Sequence, residues 1–204
     1  MVDYQSALHS KNISTHLDVD GETGIYLSER RLSCLWQVAG WDDFELAAVE
    51  LCQSLGLKGV GNYQEAQTAG EVTTWRIGPD KLLLGGCGDL SSFATSNLVV
   101  LDLSHAKTAI QLSGPNCLDL LSQLFAIDLH PTAFTPGQFL QTGIHHVGVL
   151  VQCVDSGDGR DGGDGGDGGD GERFEILVPY TWAESVWEVI VENALQFGVE
   201  ISDD

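Results

Sequence analysis

Positive charge is scarce in this sequence, which has nine Lys and Arg residues against 30 Asp and Glu residues and a formal net charge of −21 at pH 7. Proteins that bind nucleic acid or anionic lipid contact phosphate groups through clusters of Lys and Arg. The basic residues here are scattered along the chain. The charge balance therefore argues against a nucleic acid or a membrane surface as a partner.

Long apolar runs are also missing. No segment approaches the roughly 18 consecutive apolar residues of a membrane-spanning helix. The opening MVDYQSALHSKN has neither the basic nor the apolar segment of a signal peptide. We therefore expect a cytoplasmic protein without a membrane segment. With 204 residues and 43% hydrophobic content, the chain can bury a sizeable core as one domain or two small ones.

The five cysteines show no Cys-x-x-Cys spacing and are odd in number. They lie far apart in apolar surroundings, at Cys34, Cys52, Cys87, Cys117 and Cys153. Reduced core thiols explain this distribution better than disulfides or a metal site does. We expect no metal on this chain.

A dinucleotide-binding motif is absent as well. GGCGD at 85–89 has the wrong spacing for Gly-x-Gly-x-x-Gly, and the Asp/Gly-rich segment further on lacks a βαβ frame. Gly114 at a predicted helix start could receive an anion, but Pro115 removes one donor. The sequence therefore predicts no cofactor site on this chain.

The apolar pattern predicts the same order of elements twice. A strand at 32–38 leads through a glycine turn to an amphipathic helix from Phe44 to Leu55, where Asp42 or Asp43 can cap the start and Gly56 the end. A strand at 108–112 likewise precedes a helix that begins near Pro115. The repeated order predicts an α+β fold with two halves, roughly 29–101 and 102–200.

The last predicted helix begins with Thr181-Trp182-Ala183-Glu184, which reads as a capping box. Trp182 and Trp187 are five positions apart and should point in different directions. A core position is the simpler interpretation for each, and an interface role for one of them is the alternative.

Two segments predict little regular structure. Residues 1–28 are polar and predict a flexible arm, or one that orders against a partner. Residues 155–172 (DSGDGRDGGDGGDGGDGE) interrupt a hairpin between 147–154 and 174–178 and predict a disordered insertion. Calcium binding by the Asp/Gly repeat is the alternative interpretation, but the repeat lacks the apolar residues of a β-roll and the closing Glu of an EF-hand.

No catalytic constellation is apparent. His145 and His146 are adjacent in a predicted strand, which would point them to opposite faces. His130 and His105 are single histidines in turns. Asp102, Ser104 and His105 are too close in one extended segment for a triad. The sequence therefore predicts no catalytic, cofactor-binding or metal residues and leaves any substrate-binding residues open.

A resemblance rests on several motifs in order. The first half supplies WRIGPDKLLL at 75–84. The second supplies LDLSH, SGP, IDLHP, FTPGQ, QTGI and HVGVL between 101 and 150, and then a Trp-containing helix that ends in Phe-Gly. In their order and spacing, over roughly 33–198, these motifs resemble the gamma subunit of heterotetrameric sarcosine oxidase.

The resemblance implies a fold like the folate-binding domain of aminomethyltransferases, with two interlocked β-α-β halves. It implies a non-catalytic structural subunit that assembles with alpha, beta and delta subunits. Such a complex oxidises sarcosine to glycine with hydrogen peroxide and passes a one-carbon unit to tetrahydrofolate, and its FAD, FMN and NAD belong to other subunits. The 155–172 insertion departs from the family, which has a short turn there.

The alternative is a free-standing folate-dependent aminomethyl or one-carbon transferase. Such an enzyme needs a carboxylate against the folate pterin, for which Asp102 and Asp128 are the candidates. The Lys-Gly-Cys motif of related folate-binding repair proteins is missing.

Overall fold

The computed structural model describes residues 6–9, 11, 15–17, 22–130, 132–154 and 173–202. The predicted insertion at 155–172 and most of residues 1–21 lie outside the described residues. The described helices are α1 (Phe44–Ser54), α2 (Cys117–Leu124) and α3 (Ala183–Ala194). The described strands are β1 (Thr15–Leu17), β2 (Ile25–Arg30), β3 (Leu35–Gly40), β4 (Gln67–Ala69), β5 (Val72–Gly78), β6 (Lys81–Gly85), β7 (Leu98–Asp102), β8 (Lys107–Ser113), β9 (Phe139–Ile144), β10 (Val147–Val154), β11 (Arg173–Pro179) and β12 (Val199–Ser202).

The chain divides into two compact units, each built from segments that are distant in sequence. The first comprises 1–31, 107–136 and 141–204, and the second comprises 32–106 and 137–140. Both combine a sheet with helix, so the predicted α+β class is confirmed. The boundaries of two duplicated halves stay a prediction.

The first unit contains a seven-stranded sheet in the order β1-β12-β2-β8-β11-β10-β9. β2 pairs in parallel with β12 and antiparallel with β8. α3 packs against β8 and β11, and α2 packs against α3. α3 buries one face through Ala183, Val186, Trp187, Ile190 and Ala194.

The start of β2 corrects the sequence prediction of an arm. Residues 25–28 were assigned to that arm, yet Ile25 and Leu27 are buried in the middle of the sheet. Two strands that come much later in the sequence, β8 and β12, hold them there by supplying backbone partners on both sides. Local polarity could not reveal this pairing.

The second unit contains a five-stranded antiparallel sheet in the order β4-β5-β6-β3-β7, with α1 against β3 and β7. α1 follows the prediction closely, and Gly56 ends it with a left-handed φ of 83°. The predicted aspartate cap does not form. Asp43 occupies the N-cap position, but its side chain makes no capping hydrogen bond. Asp42 instead adopts a positive φ of 46° in the turn before the helix.

Candidate functional site

A row of polar side chains crosses the sheet of the first unit. Paired positions on neighbouring strands place Ser202, Ser28, Gln111, Glu175 and Gln152 side by side. Directly paired side chains lie on the same face of a sheet, so these five form one continuous row, here called the polar row. Glu175 and Gln152 are buried at 5% and 8% exposure.

Arg30 neutralises the buried carboxylate of the polar row. Its Nε lies 2.6 Å and its Nη2 2.7 Å from the two carboxylate oxygens of Glu175, so the pair is bidentate. Such a fork is the strongest geometry for an Arg–carboxylate pair. On the same strand, the buried carboxylate of Glu29 accepts a hydrogen bond from the Ser6 hydroxyl.

Sequence reasoning missed the polar row. One signal in the sequence could have indicated it, because Glu175 is the one polar residue in the run FEILV. Its partners lie 23 to 147 positions away and became neighbours only through strand pairing.

A second feature of the first unit is a cavity of about 390 Å³, here called the hairpin cavity. It lies where the tip of the β9–β10 hairpin meets the start of α3. Its lining is mostly apolar and comprises Ile144, His145, His146, Val147, Gly148, Pro179, Thr181, Trp182, Ser185, Val186 and Val189. Pockets of 300 to about 1,000 Å³ are the usual size for small ligands and inserted side chains.

The hairpin tip corrects the prediction for the two adjacent histidines. They do not lie within a strand, because β9 ends at Ile144 and β10 begins at Val147. His145 and His146 form the two-residue turn between them, with a left-handed φ of 51° at His145. Both line the hairpin cavity, and the alternation of faces within a strand does not apply to them.

The start of α3 also differs from the prediction. Thr181 belongs to a 3₁₀ turn over Tyr180–Trp182, and Trp182 takes the N-cap position without a side-chain hydrogen bond, so no capping box forms. The extra 3₁₀ turn moves the helix start past Thr181. Trp187 is a core residue at 2% exposure, whereas Trp182 is 53% exposed at the cavity.

A line of glutamates lies beside the hairpin cavity on α3. Glu184, Glu188 and Glu192 are spaced four residues apart and are exposed, so they follow one side of the helix, here called the glutamate row. Lys11 Nζ lies 2.7 Å from Glu188 and 3.3 Å from Glu184. The hydrogen bond to Glu188, followed by that to Glu184, raises the pKa of Lys11.

The carboxylates considered for folate each serve a local turn. Asp102 accepts hydrogen bonds from the Ser104 hydroxyl at 2.6 Å and the Ser104 backbone N–H at 2.9 Å, which lower its pKa. Asp128 accepts the backbone N–H of His130 at 2.9 Å. Ser104 also accepts the backbone N–H of Leu35. Both carboxylates therefore act as turn-forming groups in this structure.

All five cysteines are free thiols. Cys34 donates to the backbone carbonyl of Cys87. Burial raises the pKa of Cys87 to about 12 and that of Cys52 to about 11, so both stay protonated at neutral pH. A protonated buried thiol is a poor nucleophile. Across the described part of the chain, no three His, Cys, Asp or Glu side chains converge as metal ligands.

Comparison with known proteins gives matches in structure only. No protein-family model matches the sequence, and no curated protein matches it. The structure matches a chain of the heterotetrameric sarcosine oxidase from Corynebacterium sp. U-96, in complex with pyrrole 2-carboxylate, with a TM-score of 0.72. The match covers 95% of this chain and 96% of that chain at 18% identity. This chain is similar in fold to a sarcosine oxidase subunit.

A second match is the glycine cleavage system aminomethyltransferase T from Bartonella henselae, with a TM-score of 0.58 and 13% identity. It covers 95% of this chain and 56% of the aminomethyltransferase, so this chain spans about half of that enzyme's length. The two matches confirm the resemblance and the aminomethyltransferase-like fold that the sequence predicts. At these identities they establish the fold, while function needs separate evidence. None of the described helices has the length and apolarity to cross a membrane.

Proposed function

We propose that this chain is a non-catalytic structural subunit, of the gamma type, in a heterotetrameric sarcosine oxidase complex with alpha, beta and delta subunits. The complex would demethylate sarcosine to glycine, release hydrogen peroxide and pass the one-carbon unit to tetrahydrofolate. The observation that carries the proposal is the extent of the structural match, which takes in 96% of a chain of such a complex.

The arrangement of polar groups supports a structural role. Arg30 and Glu175 bind each other within the sheet, and Asp102 and Asp128 bind their own turns. His130, one of the two histidines predicted to lie in turns, contacts the hydroxyl of Thr132 at 2.9 Å. These groups are engaged in contacts within the fold, as expected of a structural subunit.

Purification from the native host tests the proposal. A tagged chain should co-purify with larger subunits, and the complex should be yellow from bound flavin and consume oxygen when sarcosine is added. The same chain purified alone should be colourless and inactive. A complex without flavin or without sarcosine-dependent oxygen uptake would contradict the proposal, as would amine oxidation by the isolated chain.

The aminomethyltransferase match supports one alternative function, that of a free-standing folate-dependent transferase. Isothermal titration of the isolated chain with tetrahydrofolate distinguishes the two. A dissociation constant near 1 μM, equivalent to about 8 kcal/mol of binding free energy, would favour the transferase. Absence of heat at millimolar folate would favour the structural subunit.

A further inference from the structure

We propose that the hairpin cavity is a docking site for a partner protein, which inserts one aromatic or branched aliphatic side chain from a segment rich in Lys and Arg. The inference concerns a surface that the proposed function leaves unassigned. It stands on the shape and charge of the first unit alone.

The lining of the cavity selects an uncharged occupant. Ile144, Val147, Pro179, Val186 and Val189 are apolar lining residues, and none of the described lining residues is Asp, Glu, Lys or Arg. A charged group placed inside would lose its hydration without gaining an ionic partner. The inserted part of the partner is therefore apolar.

Trp182 marks the cavity as a contact surface. Its indole is 53% exposed, although the same helix region buries Trp187 almost completely. Tryptophan is enriched at protein interfaces and among the residues that contribute most to binding there. A side chain inserted into the cavity would also cover the Trp182 indole.

The hairpin turn places two histidines at the cavity. A two-residue turn favours Asn-Gly or Asp-Gly, because these residues adopt positive φ at little cost. Here His145 takes that conformation, and both His145 and His146 line the cavity. Non-glycine residues at positive φ are uncommon, although His is one of the types enriched there, and such positions cluster at functional sites.

The glutamate row predicts which residues lie next to the inserted side chain in the partner. It runs along α3 directly beside the lining residues Ser185 and Val189, outside the cavity itself. Within this chain, Lys11 already pairs with Glu184 at 3.3 Å and with Glu188 at 2.7 Å, and the row as a whole keeps a net negative charge of two. In a chain of net charge −21, basic residues on both sides of the apolar anchor would add attraction and orientation.

Defined peptides test the proposal on the full-length chain. The probe is a seven-residue peptide, Lys-Lys-Gly-Phe-Gly-Lys-Lys with blocked ends. Two controls replace its Phe with Ser or its four Lys with Glu. Binding is followed by two-dimensional NMR of the ¹⁵N-labelled protein. We expect the basic Phe peptide to shift the signals of His145, Trp182 and Val189, and each control peptide to bind at least tenfold more weakly.

Matched variants show whether the cavity is responsible. Trp182→Ala should weaken the basic Phe peptide about tenfold, which corresponds to roughly 1.4 kcal/mol. Trp41→Ala removes an indole of equal exposure, 54%, from the second unit and should leave binding unchanged. Equal binding of all three peptides, no binding of the basic Phe peptide at about 1 mM, or no effect of Trp182→Ala would each overturn the proposal.

A photo-crosslinker then identifies the natural occupant. Ser185 is exposed and lines the cavity, so benzoylphenylalanine placed there should react with whatever docks in the native host. The same group at Leu46, which is 66% exposed on the second unit, provides the control. The proposal predicts a crosslinked protein segment with an apolar residue beside Lys or Arg, specific to position 185. Crosslinking to an acidic segment, a nucleic acid or a small molecule would overturn it.

Discussion

Loss of the Arg30 guanidinium should destabilise the first unit strongly, because Glu175 is buried in the polar row. The Glu175 side chain is only 6% exposed and binds Arg30 through two hydrogen bonds of 2.6 and 2.7 Å. Removing one partner of a fully buried ion pair costs about 3–5 kcal/mol. The Arg30 side chain is 36% exposed, so water offsets part of that cost. We expect Arg30→Met to lower the free energy of unfolding by about 2–3 kcal/mol.

A double-mutant cycle measures the interaction itself. Urea denaturation of wild type, Arg30→Met, Glu175→Gln and the double variant should give a coupling energy of about 2 kcal/mol, because the double variant no longer buries an uncompensated charge. The bidentate pair Arg76–Glu45 is the matched control, with a 59% exposed carboxylate. Its coupling energy should be about 0.5 kcal/mol or less. Similar coupling in the two cycles would refute the argument that burial decides the strength of the pair.

Three further predictions concern single residues. Trp187→Ala should lower the free energy of unfolding by about 3–5 kcal/mol because Trp187 is 2% exposed, while Trp182→Ala should cost less than about 1 kcal/mol; equal losses in thermal denaturation would contradict the assignment of core and surface. Gly86→Ala should prevent normal folding of the second unit, since φ is +69° and a Cβ would lie 1.9 Å from the carbonyl oxygen of Glu71; an unchanged circular dichroism melting curve would disprove this. Cys52, with a folded pKa of about 11 and a reference value of 9.0, ionises first in the unfolded state as pH rises. Its contribution to stability is therefore complete below pH 9 and falls through pH 9–11, so the destabilisation by Cys52→Ala should be smaller by about 2 kcal/mol at pH 10.5 than at pH 8. Urea denaturation at both values checks this, and a pH-independent difference would rule it out.

The sequence predicted those parts of the fold whose cause is local. The apolar stripe from Phe44 and the left-handed Gly56 define α1, and α2 begins at Cys117, two residues after Pro115. The apolar runs at 147–154 and 174–178 likewise located β10 and β11, because such runs are a property of neighbouring positions. The resemblance to the sarcosine oxidase gamma subunit rested on motif order and correctly anticipated the fold.

Features that depend on distant partners required the structure. β2 appeared to belong to a polar arm until β8 and β12 were seen on both sides of it. Thr181 and Glu184 have the spacing of a capping box, yet a 3₁₀ turn shifts the helix start.

The two candidate surfaces show the same division. Glu175 and the two adjacent histidines are visible in the sequence. The sequence does not reveal that strand register brings Arg30 to Glu175. Nor does it reveal that a turn places His145 and His146 in the lining of one cavity. Strand pairing across more than 100 residues is selected by the total burial and hydrogen bonding of the sheet, which no short window of sequence contains. Local chemistry thus determined the elements of this protein, and only their tertiary pairing determined which side chains became neighbours.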